Sequence, residues 1–133
     1  DLSQQYSVLN QQYSVILCDA PCTGSGTWSR TPEQLYFFKE EMITAYAKKQ
    51  REIVSNVIPC LQKEGLFIYI TCSVFKQENE EVVNFIKEKF HLQLMQMELL
   101  KGYDKKADSM FVAVLKKLKF IAAPLSSVLL FYH

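Results

Sequence analysis

Two apolar runs, each followed at once by a loop that contains a cysteine, place the strongest constraint on how this chain folds. Residues 13–26 are Tyr-Ser-Val-Ile-Leu-Cys-Asp-Ala-Pro-Cys-Thr-Gly-Ser-Gly, and residues 65–73 are Gly-Leu-Phe-Ile-Tyr-Ile-Thr-Cys-Ser. Short apolar runs bounded by Gly and Pro are typical of buried strands. In an open α/β sheet, ligands bind at the carboxyl ends of the strands. We therefore expect two strands to bring Cys22 and Cys72 to one edge of one sheet, in a ligand site.

The segment between the two runs predicts a helix. Apolar residues recur mostly at helical spacing across 40–61, which favours a crossover helix that packs on the sheet. Pro59 is expected to loosen the last turn of this helix, and Gly65 is placed to end the connection. The unbroken apolar run at 66–70 is the pattern of a strand covered on both faces, as in a parallel sheet. Strand, helix and strand together predict a βαβ unit of the α/β class.

The rest of the chain predicts further helices and a closing hairpin. A helix is expected at 76–90, where acidic residues precede basic ones and complement the helix dipole. Two strand candidates follow at 92–100 and 110–115. Earlier in the chain, Thr31 followed by Pro32 predicts a helix start, with the Thr hydroxyl as the cap. The candidate core residues are the apolar side chains Leu17, Val54, Ile58, Phe67, Val83 and Phe111.

Composition limits the possible classes of protein. A chain of 133 residues that is 49% apolar is long enough for one domain with its own core. Its formal net charge of +1 does not mark a nucleic-acid binder, because phosphate binding usually requires a basic surface. If RNA is the substrate, the positive surface is local or lies outside this chain. No apolar run approaches the roughly twenty residues of a membrane span, so no membrane partner is expected.

The cysteine spacing argues against a metal or redox centre. The cysteines are Cys18, Cys22, Cys60 and Cys72, and the histidines are His91 and His133. Zinc sites and redox dithiols require closer ligand spacing than these residues provide. We therefore expect no metal and reduced thiols in a cytoplasmic protein, with Cys60 acting as a small buried apolar side chain.

The two cysteine loops resemble motifs of a known enzyme family. Asp-Ala-Pro-Cys-Thr-Gly-Ser-Gly at 19–26 and Thr-Cys-Ser-Val at 71–74 resemble motifs IV and VI of the Nop2/Sun (RsmB-like) family of RNA cytosine-5 methyltransferases. The resemblance covers 1–118, as the carboxyl-terminal part of the catalytic domain, and leaves 119–133 as an unassigned apolar tail. It implies the carboxyl-terminal half of a Rossmann-like class I S-adenosylmethionine-dependent methyltransferase fold, which combines parallel strands, a crossover helix and a closing antiparallel hairpin.

The resemblance also implies catalytic roles. In that family the cysteine that matches Cys72 is the nucleophile that adds to carbon 6 of cytosine, and the cysteine that matches Cys22 assists release of the product. In DNA cytosine methyltransferases the cysteine of the Pro-Cys pair attacks instead, so Cys22 is the alternative nucleophile. Asp19 would hold the pyrimidine edge and lie near the cofactor, S-adenosylmethionine. Gly24 and Gly26 are expected to allow either close approach of the substrate to the backbone or special backbone dihedral angles.

Further residues receive binding roles by the same resemblance. Asp1 would contact the adenine or ribose side of the cofactor. The Pro21 carbonyl would accept from the exocyclic amine of cytosine, and Arg30 would lie close to a substrate phosphate or to the active-site loop. Thr71 and Ser73 would shape the loop at the substrate. The implied substrate is an accessible cytosine in rRNA or tRNA, because a base leaves its stack most easily in loops and single strands.

Two functions therefore remain open from the sequence. The family's glycine-rich cofactor loop, Asp-x-x-x-x-Pro-Gly-Gly, does not occur in the sequence, so we expect the amino-terminal part of the same domain as a further partner. The chain is then either the catalytic half of an RNA cytosine-5 methyltransferase or a truncated, inactive module of that fold with a binding or structural role. Cofactor binding would separate these alternatives.

Overall fold

The structure is a computed structural model that describes residues 11–102 and 107–119. Asp1 and most of the unassigned tail lie outside the described residues. The elements in chain order are β1 (Tyr13–Asp19), α1 (Glu33–Phe37), α2 (Glu41–Val57), β2 (Leu61–Thr71), α3 (Glu80–Phe90), β3 (Gln93–Leu100) and β4 (Met110–Lys116), with short 3-10 turns at Ser25–Thr27 and Ile58–Cys60.

The strands form one four-stranded mixed sheet in the order β1-β2-β4-β3. Strands β1 and β2 are parallel, whereas β4 runs antiparallel to both β2 and β3. Helix α2 lies between the two parallel strands in the chain, so the predicted βαβ unit and the predicted closing hairpin are both confirmed. In the parallel pair Asp19 stands opposite Ile70, and therefore both strands reach their carboxyl ends at the same edge of the sheet.

One face of the sheet carries the core. Helices α2 and α3 both pack against this face, where Phe67 and Tyr69 of β2 and Phe111 of β4 are almost completely buried. The alternate residues of β2 between 66 and 70 are only partly buried. The expectation that both faces of β2 are covered is therefore not met within the described residues, because the two long helices lie on the same side.

Most of the predicted core residues are buried. Val54, Ile58, Phe67, Val83 and Phe111 are at most 2% exposed. The prediction for Leu17 is wrong, since its side chain is 63% exposed. Successive side chains of a strand point to opposite faces, and Cys18, the next residue, takes the buried position.

The connection from α2 to β2 differs from the prediction. Helix α2 ends at Val57 rather than near 61, and Pro59 lies in the 3-10 turn that follows, because proline cannot donate the next helical hydrogen bond. Strand β2 begins at Leu61, so Gly65 lies inside the strand instead of ending the connection. A Cβ at Gly65 would stand 2.8 Å from the carbonyl oxygen of Gln62. This glycine therefore permits an irregular start of β2, where the register with β1 shifts.

Two helix starts also differ from the prediction. The Thr31 hydroxyl does not cap α1; it donates to the Thr27 carbonyl at 3.0 Å. Helix α3 begins at Glu80 rather than at 76, while its acidic first turn and basic last turn agree with the expected complement to the dipole. Within the described ranges, no helix has both the length and the apolar composition needed to cross a membrane.

Candidate active site

The two cysteine loops meet at the carboxyl ends of β1 and β2, as the sequence predicts. Cys22 follows the end of β1 by three residues, and Cys72 follows Thr71, the last residue of β2. Both cysteines are half-buried and outside any disulfide. The backbone amides of Gly24 and Cys72 lie close enough to the Cys22 thiol to lower its pKa. The side chain of Cys22 therefore lies near the backbone of the other cysteine.

Gly26 connects the loop after β1 both to the residue that follows β2 and to the residue that precedes β4. Its amide donates to the Cys72 carbonyl at 2.7 Å, and its carbonyl accepts from the Ser109 amide at 2.8 Å. A Cβ at Gly26 would lie 2.9 Å from the Cys72 carbonyl oxygen and would overlap the Ser109 carbonyl oxygen. Glycine is required here because the protein's own backbone comes this close. The sequence predicts close backbone approach at Gly26, but with the substrate as the neighbour.

Gly24 has a different role in the same loop. Its φ is +74°, in the left-handed region, and the nearest neighbour of an added Cβ would be the Thr27 hydroxyl at 3.7 Å. The prediction of a special backbone dihedral is confirmed at this position. Gly24 is therefore needed for its backbone conformation, whereas Gly26 is needed because a side chain would collide with neighbouring backbone atoms.

A buried carboxylate, Glu78, connects the two cysteine loops, although the sequence pattern does not single it out. Its side chain is 0% exposed. One oxygen accepts from the Thr23 amide at 2.8 Å and from the Gln50 amide at 3.3 Å; the other accepts from the Thr23 hydroxyl at 2.8 Å and from the Ser73 hydroxyl. Glu78 therefore binds both the residue after Cys22 and the residue after Cys72.

Two buried amides extend this network. Gln50 donates to the Pro21 carbonyl at 2.9 Å. The Asn79 side chain donates to the Ser73 carbonyl at 2.8 Å and accepts from the Thr71 hydroxyl at 2.5 Å. Asn79 precedes α3 but makes no capping hydrogen bond to it, since its side chain is engaged with the strand end. These contacts hold the backbone on either side of both cysteines.

The sequence contained a signal for these polar residues. Gln50 shares the buried face of α2 with Ala47 and Val54, so it interrupts an otherwise apolar stripe. Glu78 and Asn79 come shortly after the Thr-Cys-Ser loop, where a helix was expected. A buried polar residue is normally hydrogen-bonded, and the partners of these three are the site loops.

Arg30 follows the loop after β1, and its predicted place close to a substrate phosphate or to the active-site loop stays a prediction. Its guanidinium donates from Nε and Nη2 to the two carboxylate oxygens of Asp108, at 3.1 and 3.0 Å. Asp108 precedes Ser109, whose amide binds Gly26. This bidentate pair therefore fastens the loop after β1 to the segment that leads into β4.

Burial and neighbouring charges affect both thiols. Burial raises the pKa of the Cys72 thiol, Asp19 and Asp108 raise it further, and Arg30 opposes them. Burial also raises the pKa of Cys22; the amides of Gly24 and Cys72 lower it, whereas Glu78 raises it. Since a thiolate rather than a thiol is the nucleophile, these groups decide how readily each cysteine reacts.

The other residues predicted for the site have different surroundings. Asp19 is exposed at the end of β1, and its carboxylate accepts no hydrogen bond from the rest of the described chain. Pro21 is exposed, and its carbonyl already accepts from Gln50. Thr71 and Ser73 are 0% exposed and their hydroxyls bind within the protein, which favours their shaping the loop over their touching a substrate. Their assignment to the substrate stays a prediction.

A surface groove between α2 and α3 contains none of the predicted site residues. It is lined by Thr44, Ala47, Lys48, Arg51, Glu52, Ser55, Asn56, Gln77, Glu81, Phe85 and Lys89. In the part of the chain that the structure describes, no three His, Cys, Asp or Glu side chains are grouped as a metal site would require. The cysteines, rather than this groove, therefore define the candidate site.

Comparison with known proteins gives consistent results. The family model for "16S rRNA methyltransferase RsmB/F" matches residues 1–120. A ribosomal RNA small subunit methyltransferase F from Psychromonas ingrahamii is 29% identical in an alignment of 125 positions that covers 80% of this chain and 26% of that protein. A ribosomal RNA small subunit methyltransferase B from Photorhabdus laumondii is 38% identical over 79 residues, which are 59% of this chain and 18% of that protein. The chain thus spans about a quarter or less of the length of these relatives.

Solved structures show the same fold. NSun6 from Pyrococcus horikoshii, solved with SFG, superposes with a TM-score of 0.76 at 25% identity, over 90% of this chain and 34% of that chain. A methyltransferase homologue from the same organism gives a TM-score of 0.73 at 24% identity, over 87% of this chain and 43% of that chain. These neighbours confirm the Rossmann-like methyltransferase fold, and the family match extends over most of the sequence. The chain belongs to the 16S rRNA methyltransferase RsmB/F family.

Proposed function

We propose that this chain carries the two catalytic cysteines of an S-adenosylmethionine-dependent methyltransferase that modifies carbon 5 of cytosine in RNA. The observation that carries the proposal is the meeting of Cys22 and Cys72 at one edge of the sheet, with the side chain of the first near the backbone of the second. The relatives are named as methyltransferases of small-subunit ribosomal RNA, which favours rRNA over tRNA as the substrate.

The chemistry explains why a thiol is needed. Carbon 5 of cytosine is a poor nucleophile while the ring is aromatic. When the Cys72 thiolate adds to carbon 6, the electrons of the 5,6 double bond move toward carbon 5, which can then take up a methyl group. Removal of the proton from carbon 5 and cleavage of the sulfur–carbon bond restore the double bond and return the thiolate. This is nucleophilic catalysis through a covalent intermediate.

Both thiols have a raised pKa, so the choice of nucleophile follows the loop motifs. Burial raises the pKa of Cys72, Asp19 and Asp108 raise it further, and Arg30 opposes them. Burial also raises the pKa of Cys22, two backbone amides oppose the rise, and the Glu78 charge adds to it. We assign the attack to Cys72 because its Thr-Cys-Ser loop resembles motif VI of the Nop2/Sun family, in which that cysteine is the nucleophile. Asp19, exposed beside Cys72, is available to the pyrimidine edge.

The residues present also fit the cofactor. S-adenosylmethionine supplies the electrophilic methyl group when it is bound, and it carries a positive sulfonium and ribose hydroxyl donors. Asp19 offers an exposed carboxylate at the carboxyl end of β1, where open α/β sheets bind ligands. NSun6, whose structure covers most of this fold, was solved with SFG, an analogue of that cofactor. We therefore assign Asp19 to the cofactor side of the site.

Trapping the covalent adduct tests the proposal. The protein is the complete methyltransferase domain that contains this chain, incubated with labelled small-subunit rRNA and S-adenosylmethionine. We expect the Cys22→Ala variant to accumulate a covalent RNA–protein adduct, whereas the Cys72→Ala variant forms none. The matched control is Cys60→Ala, a buried cysteine remote from both loops, which should methylate as the wild type does.

Two results would contradict the proposal. The reverse pattern, with adduct lost in Cys22→Ala and retained in Cys72→Ala, would make Cys22 the nucleophile. A wild-type domain that neither binds S-adenosylmethionine in calorimetry nor transfers its methyl group would favour the inactive module instead.

A further inference from the structure

The carboxylate of Glu78 is the junction between the two cysteine loops, although it touches neither thiol through a hydrogen bond. It accepts four hydrogen bonds, from the Thr23 amide, the Thr23 hydroxyl, the Ser73 hydroxyl and the Gln50 amide. Its side chain is completely buried. Among the described residues, no Lys or Arg forms an ion pair with it. The carboxylate is therefore held by the two loops that it joins and by Gln50 of α2.

The Cys22 loop depends strongly on Glu78. Within the described chain, both donors of Thr23 go to this one carboxylate, at 2.8 Å each. The Pro21 carbonyl is held by Gln50, whose amide also donates to Glu78. Thr23, directly after Cys22, is thus held by Glu78 itself, and Pro21, directly before it, is held by a side chain that also donates to Glu78.

The Cys72 segment has several supports that do not involve Glu78. The Cys72 carbonyl accepts from Gly26, and the Ser73 carbonyl accepts from Asn79. The Ser73 amide binds the Thr71 hydroxyl at 3.1 Å, and that hydroxyl binds Asn79. Loss of the Glu78 carboxylate would therefore loosen Thr23, the residue after Cys22, while Gly26 still ties the rest of that loop to Cys72 and Asn79 still fixes the end of β2.

We propose that Glu78 is a positioning residue that clamps the Cys22 loop to the strand end that carries Cys72, so that its loss impairs release of the RNA adduct more than formation of that adduct. This inference rests on the proposed function, in which Cys72 forms the adduct and Cys22 assists its breakdown. Small displacements of a reacting group have large effects on rate, and a shift of about 1 Å can cost roughly 100-fold.

Glu78 also influences the ionisation of Cys22. The groups that face this thiol are Glu78, the Cys72 thiol, the Tyr69 phenol and the amides of Gly24 and Cys72. The amides lower the pKa of Cys22, and the Glu78 charge raises it. Glu78 is not among the charges that act on Cys72, which are Asp19, Asp108 and Arg30. The two thiols should therefore respond differently to the loss of this one charge.

Thiol alkylation across pH is the first test, with iodoacetamide as the probe and mass spectrometry to follow each cysteine in the complete domain. In Glu78→Gln, which retains the shape of the side chain, the midpoint for Cys22 is expected to move to lower pH while the midpoint for Cys72 stays in place. The control is Glu81→Gln, an exposed residue of α3, which should move neither. Unchanged profiles, or equal shifts at both cysteines, would overturn the proposal.

Adduct trapping is the second test. Glu78→Gln is expected to slow product release by roughly 10- to 100-fold, and to raise the fraction of protein held as adduct toward that of Cys22→Ala. Thr23→Val removes one of the two Thr23 hydrogen bonds with little change in shape and should act in the same direction. If Glu78→Gln lowers the rate of adduct formation and the rate of product release by the same factor, Glu78 is a purely structural residue.

The two tests separate the failure of this proposal from failure of the proposed function. A wild-type domain that forms no adduct would contradict the proposed function, and the alkylation profiles would still decide whether Glu78 acts selectively on Cys22. A domain that methylates normally, but in which Glu78→Gln and Thr23→Val release product at the wild-type rate, would overturn only the role of Glu78.

Discussion

Arg30 donates two hydrogen bonds to the carboxylate of Asp108, and the two members of this pair act on the Cys72 thiol in opposite directions. Asp108 raises the pKa of Cys72, and Arg30 lowers it. The pair also joins the loop after β1 to the start of β4, so a single contact serves both the shape and the electrostatics of the site. Its structural and electrostatic effects can be separated by changing each member in turn.

Substitution of either member of the pair should change the reactivity of Cys72. Arg30→Ala removes the stabilising positive charge, so the pKa of Cys72 should rise and its alkylation at pH 8 should slow. Asp108→Asn removes a negative charge, so the same rate should increase. Iodoacetamide labelling with mass spectrometry measures both. Arg51→Ala, which removes a guanidinium of α2 that lies over the Phe85 ring of α3, is the control. If both variants change the alkylation rate of Cys72 in the same direction, the loss of loop structure, rather than the loss of charge, determines that rate.

The two glycines of the loop after β1 should differ in their tolerance of alanine. Gly26→Ala introduces a Cβ that overlaps the Ser109 carbonyl oxygen, and overpacking of this kind costs about 1–3 kcal/mol or more. Gly24→Ala makes only an ordinary contact with the Thr27 hydroxyl at 3.7 Å and has the left-handed φ of +74° against it, which costs about 1–2 kcal/mol. Chemical denaturation measures both free energies of unfolding, and Gly26→Ala is expected to lose more. It should also slow methyl transfer, because the Cys72 carbonyl is displaced.

The sequence was sufficient to predict the parts of this fold that depend on local pattern. The apolar runs before the two cysteine loops identified the parallel strands, and the helical spacing between them identified α2. The meeting of Cys22 and Cys72 followed from topology, because parallel strands joined by one crossover end at the same edge of a sheet. These predictions required no knowledge of which side chains touch.

The predictions that failed depended on which side chains touch. Leu17 was assigned to the core by its apolar character, but the covered face of β1 includes Cys18 instead. Gly65 looked like the end of a connection, but it lies inside β2 because the strand starts irregularly. Glu78 was counted in an amphipathic helix, although its carboxylate accepts hydrogen bonds from residues up to 55 positions away. Pattern and propensity describe near neighbours in the chain, and these contacts are distant.

The phenol of Tyr69 should contribute measurably to stability. Its hydroxyl donates to the Glu78 carbonyl at 2.7 Å, and the residue is 0% exposed. Tyr69→Phe would leave that carbonyl without this donor, and an unsatisfied buried group costs about 1–3 kcal/mol. Tyr36→Phe is the matched control, because the Tyr36 side chain is 86% exposed and loss of its hydroxyl should have little effect. Urea denaturation gives both values, and equal values would contradict the importance of the buried bond.

The buried thiol of Cys18 should make stability depend on alkaline pH. Burial raises its pKa from 9.0 to about 11, and Asp19 adds to the shift. Between these values the unfolded chain loses the proton while the folded protein keeps it, so the stabilising contribution is complete below pH 9 and is lost as the pH rises to about 11. A shift of this size is equivalent to about 2–3 kcal/mol. Denaturation at pH 8 and at pH 11 should therefore show a smaller loss of stability in Cys18→Ala than in the wild type. Equal losses would contradict the raised pKa of Cys18. Because the two proteins contain the same lysines and tyrosines, the effect of those groups on stability cancels in the comparison.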